Sequence, residues 1–126
     1  MEEPVVGLTL PNLFCRAELL KDEGGWEPLR QGVDIRRIYQ NGLDGPAAAL
    51  LRYQPGASIP LHQHMGYEHI LVLDGTQSDE YGNYSSGSLV IHPPGSSHQV
   101  FSSTGCVVLI IWERPPRFCE VAPPPS

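Results

Sequence analysis

The sequence predicts an all-β barrel or sandwich, and three observations carry that expectation. Apolar runs of strand length recur roughly every 8–12 residues between turn signals. The chain spends 13 Gly and 13 Pro among 126 residues, a density that suits many turns and opposes a helix bundle. No heptad or internal repeat is present. One domain of this length buries enough apolar surface to hold a core without disulfide staples.

Residues 1–24 form an apolar lead-in carrying Val5, Val6, Leu8, Leu10, Leu13, Phe14, Leu19 and Leu20. Such a segment is expected to pack on the chain's own sheet or on a partner's. Within it, Phe14 to Lys21 reads as either a helical turn or a strand, since its periodicity fits both. Gly24-Gly25 interrupts it, and residues 25–116 are expected to form the barrel. Val33 to Tyr39 alternates in polarity, and Asn41-Gly42 and Asp44-Gly45 mark tight turns. Ala47 to Tyr53 reads as a strand ended by Pro55-Gly56, and Ile70 to Leu73 as a short buried strand closed by Asp74-Gly75. Tyr81 to Tyr84 resembles a hairpin tip. Leu89 to Ile91 stops at Pro93-Pro94-Gly95, and Val100 to Ser102 and Val107 to Trp112 complete the set. Residues 117–126 read as an extended Pro-rich tail.

Eight basic against 14 acidic residues give a net charge of −6. Arg36-Arg37 is the one adjacent basic pair, so neither a nucleic-acid backbone nor an anionic membrane surface is an expected partner. No apolar run approaches the ~20 residues of a membrane span, and the acidic start lacks the basic region of a signal peptide. Cys15, Cys106 and Cys119 are odd in number and form no CxxC, which suggests a reduced, cytoplasmic protein. A Cys15–Cys106 bridge remains an alternative.

Five histidines are present, two of them as His62-Gln63-His64. In a strand these two share a face, and Glu68 follows past Gly66. His98 lies beyond the Pro93–Gly95 turn. Three imidazoles and a carboxylate can hold a divalent transition metal. Taken singly, each has an ordinary reading: surface histidines, a solvated Glu68, a loop His98. His69 has the opposite strand parity and should face away, and His92 should sit at the rim before Pro93. Ile70, Val72 and Val100 share the parity of the donors and should wall a cavity suited to a small organic ligand. The cysteines read as buried small hydrophobes. Tyr53, Tyr67, Tyr81 and Tyr84 are the available tyrosine bases, none singled out by spacing.

Two spacings bring in a family. Gly56-x5-His62-x-His64-x3-Glu68-x6-Gly75 matches the first motif of the cupin superfamily at every fixed position. Gly87-x5-Pro93-x-Gly95-x2-His98-x3-Ser102 matches the second, with Ser102 where many cupins carry Asn. The runs Tyr53–Gly56, Glu68–Gly75, Ser78-Asp79-Glu80 and Pro93–His98 further resemble the C-terminal cupin domain of ChrR-type anti-sigma factors. The resemblance implies a double-stranded β-helix, a jelly-roll barrel. It also implies zinc ligation by His62, His64, Glu68 and His98, with Ser102 outside the ligand set. Sigma-factor binding is not expected, because residues 1–24 hold one Cys and no His where that family's sigma-binding domain binds zinc.

The expected function is therefore that of a stand-alone metal-binding cupin, a small-molecule or oxidant-responsive module. The alternative is a metal-dependent dioxygenase acting on a small oxygenated organic substrate. A metal-free structural barrel is a third possibility. The expected cofactor is one divalent transition metal per chain, Zn or Fe first, with Mn, Ni and Cu as further options. A homodimer is expected, because residues 5–20 carry more apolar surface than a tail leaves in water.

Overall fold

The computed structural model describes residues 7–15 and 24–119. Ten strands follow in order: β1 (Glu27–Arg30), β2 (Val33–Gln40), β3 (Ala47–Tyr53), β4 (Ala57–Gln63), β5 (Glu68–Asp79), β6 (Gly82–Ser85), β7 (Leu89–His92), β8 (Ser97–Ser102), β9 (Cys106–Trp112) and β10 (Arg117–Phe118). Every pairing is antiparallel, along the path β1-β2-β3-β9-β5-β8-β4-β10, with β6 and β7 also paired to β5. The first half of β5 lies with β9 and β7, and its second half with β6 and β8. One long strand thus joins two sheets that curl around a shared interior, the jelly-roll barrel that the resemblance implies.

The apolar runs of β3 and β9 pair with each other along their whole length, which places them centrally, where both faces are covered. Toward the interior, Val33, Ile35, Leu51, Tyr53, Ile59, Ile70, Val72, Val100 and Val108 form the main core. On the outer face, Leu50, Leu73 and Val107 are covered by Leu13, Trp26, Ile38, Leu71 and Leu109. Arg52 lies over the Trp26 ring, 4.6 Å from its centroid, and pairs with Asp34 at 2.8 Å. Leu13 belongs to the lead-in, whose residues 13–15 form a short helical stretch. The remainder of the Phe14–Lys21 segment lies outside the described residues.

β5 differs from its sequence reading. It does not close at Asp74-Gly75 but runs on to Asp79. The register slips between Val72 and Asp74, and Gly75 takes a φ of 74°. A Cβ at Gly75 would collide with the Gly105 carbonyl and the Cys106 backbone, so the close approach requires glycine. The slip exchanges the faces of the strand: Glu68, Ile70 and Val72 point inward before it, and Gln77 and Asp79 are buried after it. A second difference lies in the Pro-rich tail. Its first two residues, Arg117 and Phe118, form β10 opposite Gln63 and His62 of β4.

All three cysteines are free, so the Cys15–Cys106 bridge is not formed. Cys106 is a core residue as expected, whereas Cys15 and Cys119 are exposed, neither lying on a strand. Among the described residues no helix is long and apolar enough to cross a membrane.

Candidate metal centre

The barrel brings His62, His64, Glu68 and His98 together. One potential ligand atom from each lies within 4.8 Å of all the others. His62 and His98 face each other across the β4–β8 pair. His64 follows β4, held by backbone bonds from His64 N to the Ser96 carbonyl and from Gly95 N to the His64 carbonyl, both 2.8 Å. Glu68 opens β5. All four are buried, with exposures of 5% or less.

Each imidazole is turned by a bond at its rear nitrogen. His62 Nδ1 lies 2.9 Å from the Pro60 carbonyl oxygen, which can only accept, so Nδ1 carries the hydrogen. His98 Nδ1 lies 3.0 Å from Asp79 Oδ2, again an acceptor. His64 Nδ1 lies 2.9 Å from Ser96 Oγ. The single Ser96 hydroxyl hydrogen is already donated to the Pro93 carbonyl at 2.6 Å, so His64 donates to Ser96. All three Nε2 atoms are therefore left as lone pairs, the state a metal requires.

Those lone pairs surround a carboxylate. His64 Nε2 is 3.1 Å and His98 Nε2 is 3.9 Å from Glu68 Oε1, and both nitrogens are buried without a hydrogen-bond partner. Lone pairs turned toward an anion in a dry interior are satisfied by a cation among them. The residues present thus fit a divalent metal, by chemistry as well as by spacing. Burial acts to raise the Glu68 pKa, but its neighbours His64, then His62 and His98, bring it below the usual carboxylate value. Burial lowers the His62 pKa.

His92 departs from its expected place. Pairing with β5 sets it opposite Glu68, and it points inward at 9% exposure while Leu89 and Ile91 point out. Its ring stacks on His64 at 4.7 Å and approaches His98 at 4.3 Å. Burial, then the charge of His98, lowers its pKa to about 4, so it is neutral near pH 7. It is grouped with Asp79 and His98 rather than with the four donors. His69 faces away as its parity requires, between Ile91 and Ile111 of the flanking strands.

Asp79 is the functional residue the sequence reading passed over. Its Oδ2 accepts from His98, while Oδ1 accepts from Tyr81 N at 2.8 Å, Gly82 N at 3.1 Å and the Tyr84 hydroxyl at 2.9 Å. Burial acts to raise its pKa, and these bonds bring it below normal. The hairpin between β5 and β6 thereby fixes the orientation of the His98 imidazole. The Ser102 hydroxyl is committed to the Thr76 carbonyl at 2.6 Å and ties β8 to β5.

A cavity of about 170 Å³ opens in front of the cluster, with His62, Glu68 and His98 in its wall. Ile70 and Val100 line it as expected, whereas Val72 is packed in the core beyond it. Arg37, Trp112, Pro116 and Phe118 also line it, and Phe118 lies 5.3 Å from the His62 ring. Arg30 covers Phe118 at 4.3 Å.

Residues 19–113 match the family described as the ChrR cupin-like domain. A curated relative, the anti-sigma-E factor ChrR of Cereibacter sphaeroides, is 33% identical over 101 residues, which cover 78% of this chain. They cover 46% of that protein, so the chain spans about half the length of the curated relative it matches. The solved complex of Rhodobacter sphaeroides SigE with the anti-sigma ChrR superposes with a TM-score of 0.64 and 28% identity, over 70% of this chain and 49% of that one. An acetylacetone dioxygenase from Acinetobacter johnsonii superposes over 95% of this chain and 80% of its own, with a TM-score of 0.71 at 14% identity. At that identity the likeness is one of fold.

Proposed function

The chain belongs to the ChrR cupin-like domain family, and from that premise we propose that it is a metal-dependent module that responds to a small molecule or an oxidant. One divalent transition metal is held by His62, His64, Glu68 and His98, with zinc and iron the leading identities. The observation that supports this most is the set of three imidazoles whose Nδ1 atoms are all engaged behind them, leaving Nε2 toward one buried carboxylate. A dication there turns a formal charge of −1 into +1. When bound, it supplies a Lewis-acidic centre next to an apolar cavity. The chain's own part is to orient the donors, keep bulk water away and present a shaped wall to a guest.

A second reading, a dioxygenase of small oxygenated compounds, is favoured by the cavity itself, because three of the four donors form part of its wall. Elemental analysis of natively purified protein separates the two when combined with oxygen uptake in the presence of a diketone or small carboxylate. Zinc with no uptake supports the responsive module, iron with uptake supports the oxygenase, and absence of any stoichiometric metal overturns both.

The proposal includes a homodimer. Leu89, Ile91 and Ile111 are 57%, 51% and 43% exposed on β7 and β9, the two strands flanking the first half of β5. Light scattering at micromolar concentration should give twice the 13.8 kDa chain mass, and a mass of one chain would refute it.

A further inference from the structure

The cavity has a second polar end. Its apolar wall includes Leu51, Ile59, Ile70, Val100 and Ile110. Into the same space come Tyr53 and Gln77, only 5% and 2% exposed. Gln77 Nε2 donates to the Tyr53 hydroxyl oxygen at 3.3 Å. The Tyr53 hydrogen then meets no acceptor among the described residues. Turning the amide over merely moves the surplus: Tyr53 would donate to Gln77 Oε1, and the amide N–H would be spare. In either arrangement at least one neutral donor is left over in an apolar wall, where an unmade hydrogen bond is costly. Burial, then the charges of Cys106 and Glu68, raises the Tyr53 pKa far above its ordinary value despite the Gln77 bond. The hydroxyl therefore remains a donor, level with Cys106 while Glu68 lies level with Trp112 at the opposite end of β9.

Charge fixes the other end. A dication with the Glu68 carboxylate carries a net +1 at the cavity wall, the Asp79 carboxylate being set behind His98 and outside that wall, so a monoanion at the metal gives a neutral pairing, which an apolar cavity accepts most readily. Size is set by the cavity: about 170 Å³ is close to the ~150 Å³ apolar cavity known to take benzene.

We propose that the cavity binds a compact, largely apolar organic monoanion with a neutral hydrogen-bond acceptor at the end remote from its charge. The anionic oxygens meet the metal held by His62, His64, Glu68 and His98, and the Tyr53–Gln77 pair donates to the remote acceptor. This inference rests on the metal-binding reading above.

Benzoate and isonicotinate test it, being equal in size and differing by one ring nitrogen opposite the carboxylate. Calorimetric titration of the zinc-loaded protein should show isonicotinate binding about three- to tenfold tighter, the usual return on one neutral hydrogen bond. The double variant Tyr53→Phe/Gln77→Leu removes both donors together, a replacement that leaves no orphaned partner. It should keep one zinc per chain, hold benzoate as well as before, and lose the preference. Equal affinities in the unaltered protein overturn the inference. So does a preference that survives in the double variant, since the ring nitrogen would then be on the metal. Should the double variant fail to fold, the two affinities of the unaltered protein decide alone. Failure to bind stoichiometric zinc would instead overturn the metal reading beneath it.

Discussion

Replacing His64 with alanine should empty the metal site. Its Nε2 is buried beside Glu68, and no other described imidazole is placed within the same four-atom group to take over. Three donors would remain around a space opened where the ring was. Chelator competition should show affinity falling by at least ~100-fold, more than the loss that follows removal of an outer-shell partner. Asp79→Asn gives the graded case. The His98 donor set is kept, but an amide replaces the anion behind His98 Nδ1, and affinity should fall about 10- to 100-fold. His69→Ala should change nothing in stoichiometry, because the ring is on the outer face. His92→Ala should lower the melting temperature, through loss of a ring stacked on His64, yet retain one metal per chain. Metal loss from the His92 variant would move the ligand set to Asp79, His92 and His98 and refute the assignment.

Acid should weaken the fold and the metal site together. In the metal-free protein, His62 and His92 have pKa values below 6.5, that of His92 at about 4. Unfolded, both titrate near ~6.5. Between these limits the unfolded chain binds more protons, so the stability these groups permit is complete above pH ~6.5 and declines as pH falls toward 4. Glu68 and Asp79 have lowered pKa values, so what they contribute is present above the ordinary carboxylate range and is lost below it. The metal adds a steeper dependence, because protons compete for the three Nε2 lone pairs. Scanning calorimetry of both forms should show the gain from metal shrinking between about pH 7.5 and pH 5. A gain that is constant over this interval would mean that histidines are not the ligands.

The convergence of His62, His64, Glu68 and His98 is legible in the sequence because strand parity and motif spacing act over short distances. His62 and His64 are two residues apart, and Glu68 and Ile70 keep one face until the slip in β5. Past that slip the same rule fails. Gln77 and Asp79 have odd numbers and still point inward, because Gly75 lets the strand bulge. Nothing in the run Ser78-Asp79-Glu80 states which carboxylate turns toward His98. His92 was misplaced for a different reason. Three of the four β7 residues are apolar, and Leu89 and Ile91 face outward while Val90 packs on the core, so polarity alone does not set the face of His92. Only the pairing of His92 with Glu68, a contact 24 positions away in the chain, settles its direction. Arg117 and Phe118 form a strand solely because β4 offers an edge, which is a property of the assembled barrel.

That edge pairing sets a tempo. Phe118 stands beside His62 at the cavity wall with Arg30 on it, and it is anchored by a two-residue strand and by the Cys119 N bond to the Leu61 carbonyl at 3.0 Å. Short edge strands open by local fraying at a small fraction of the cost of global unfolding. Phe118 should therefore leave its place beside His62 far more often than the barrel itself opens. The four clustered side chains are held within the barrel, whereas the cavity wall beside them rests in part on a single aromatic ring at a fraying edge.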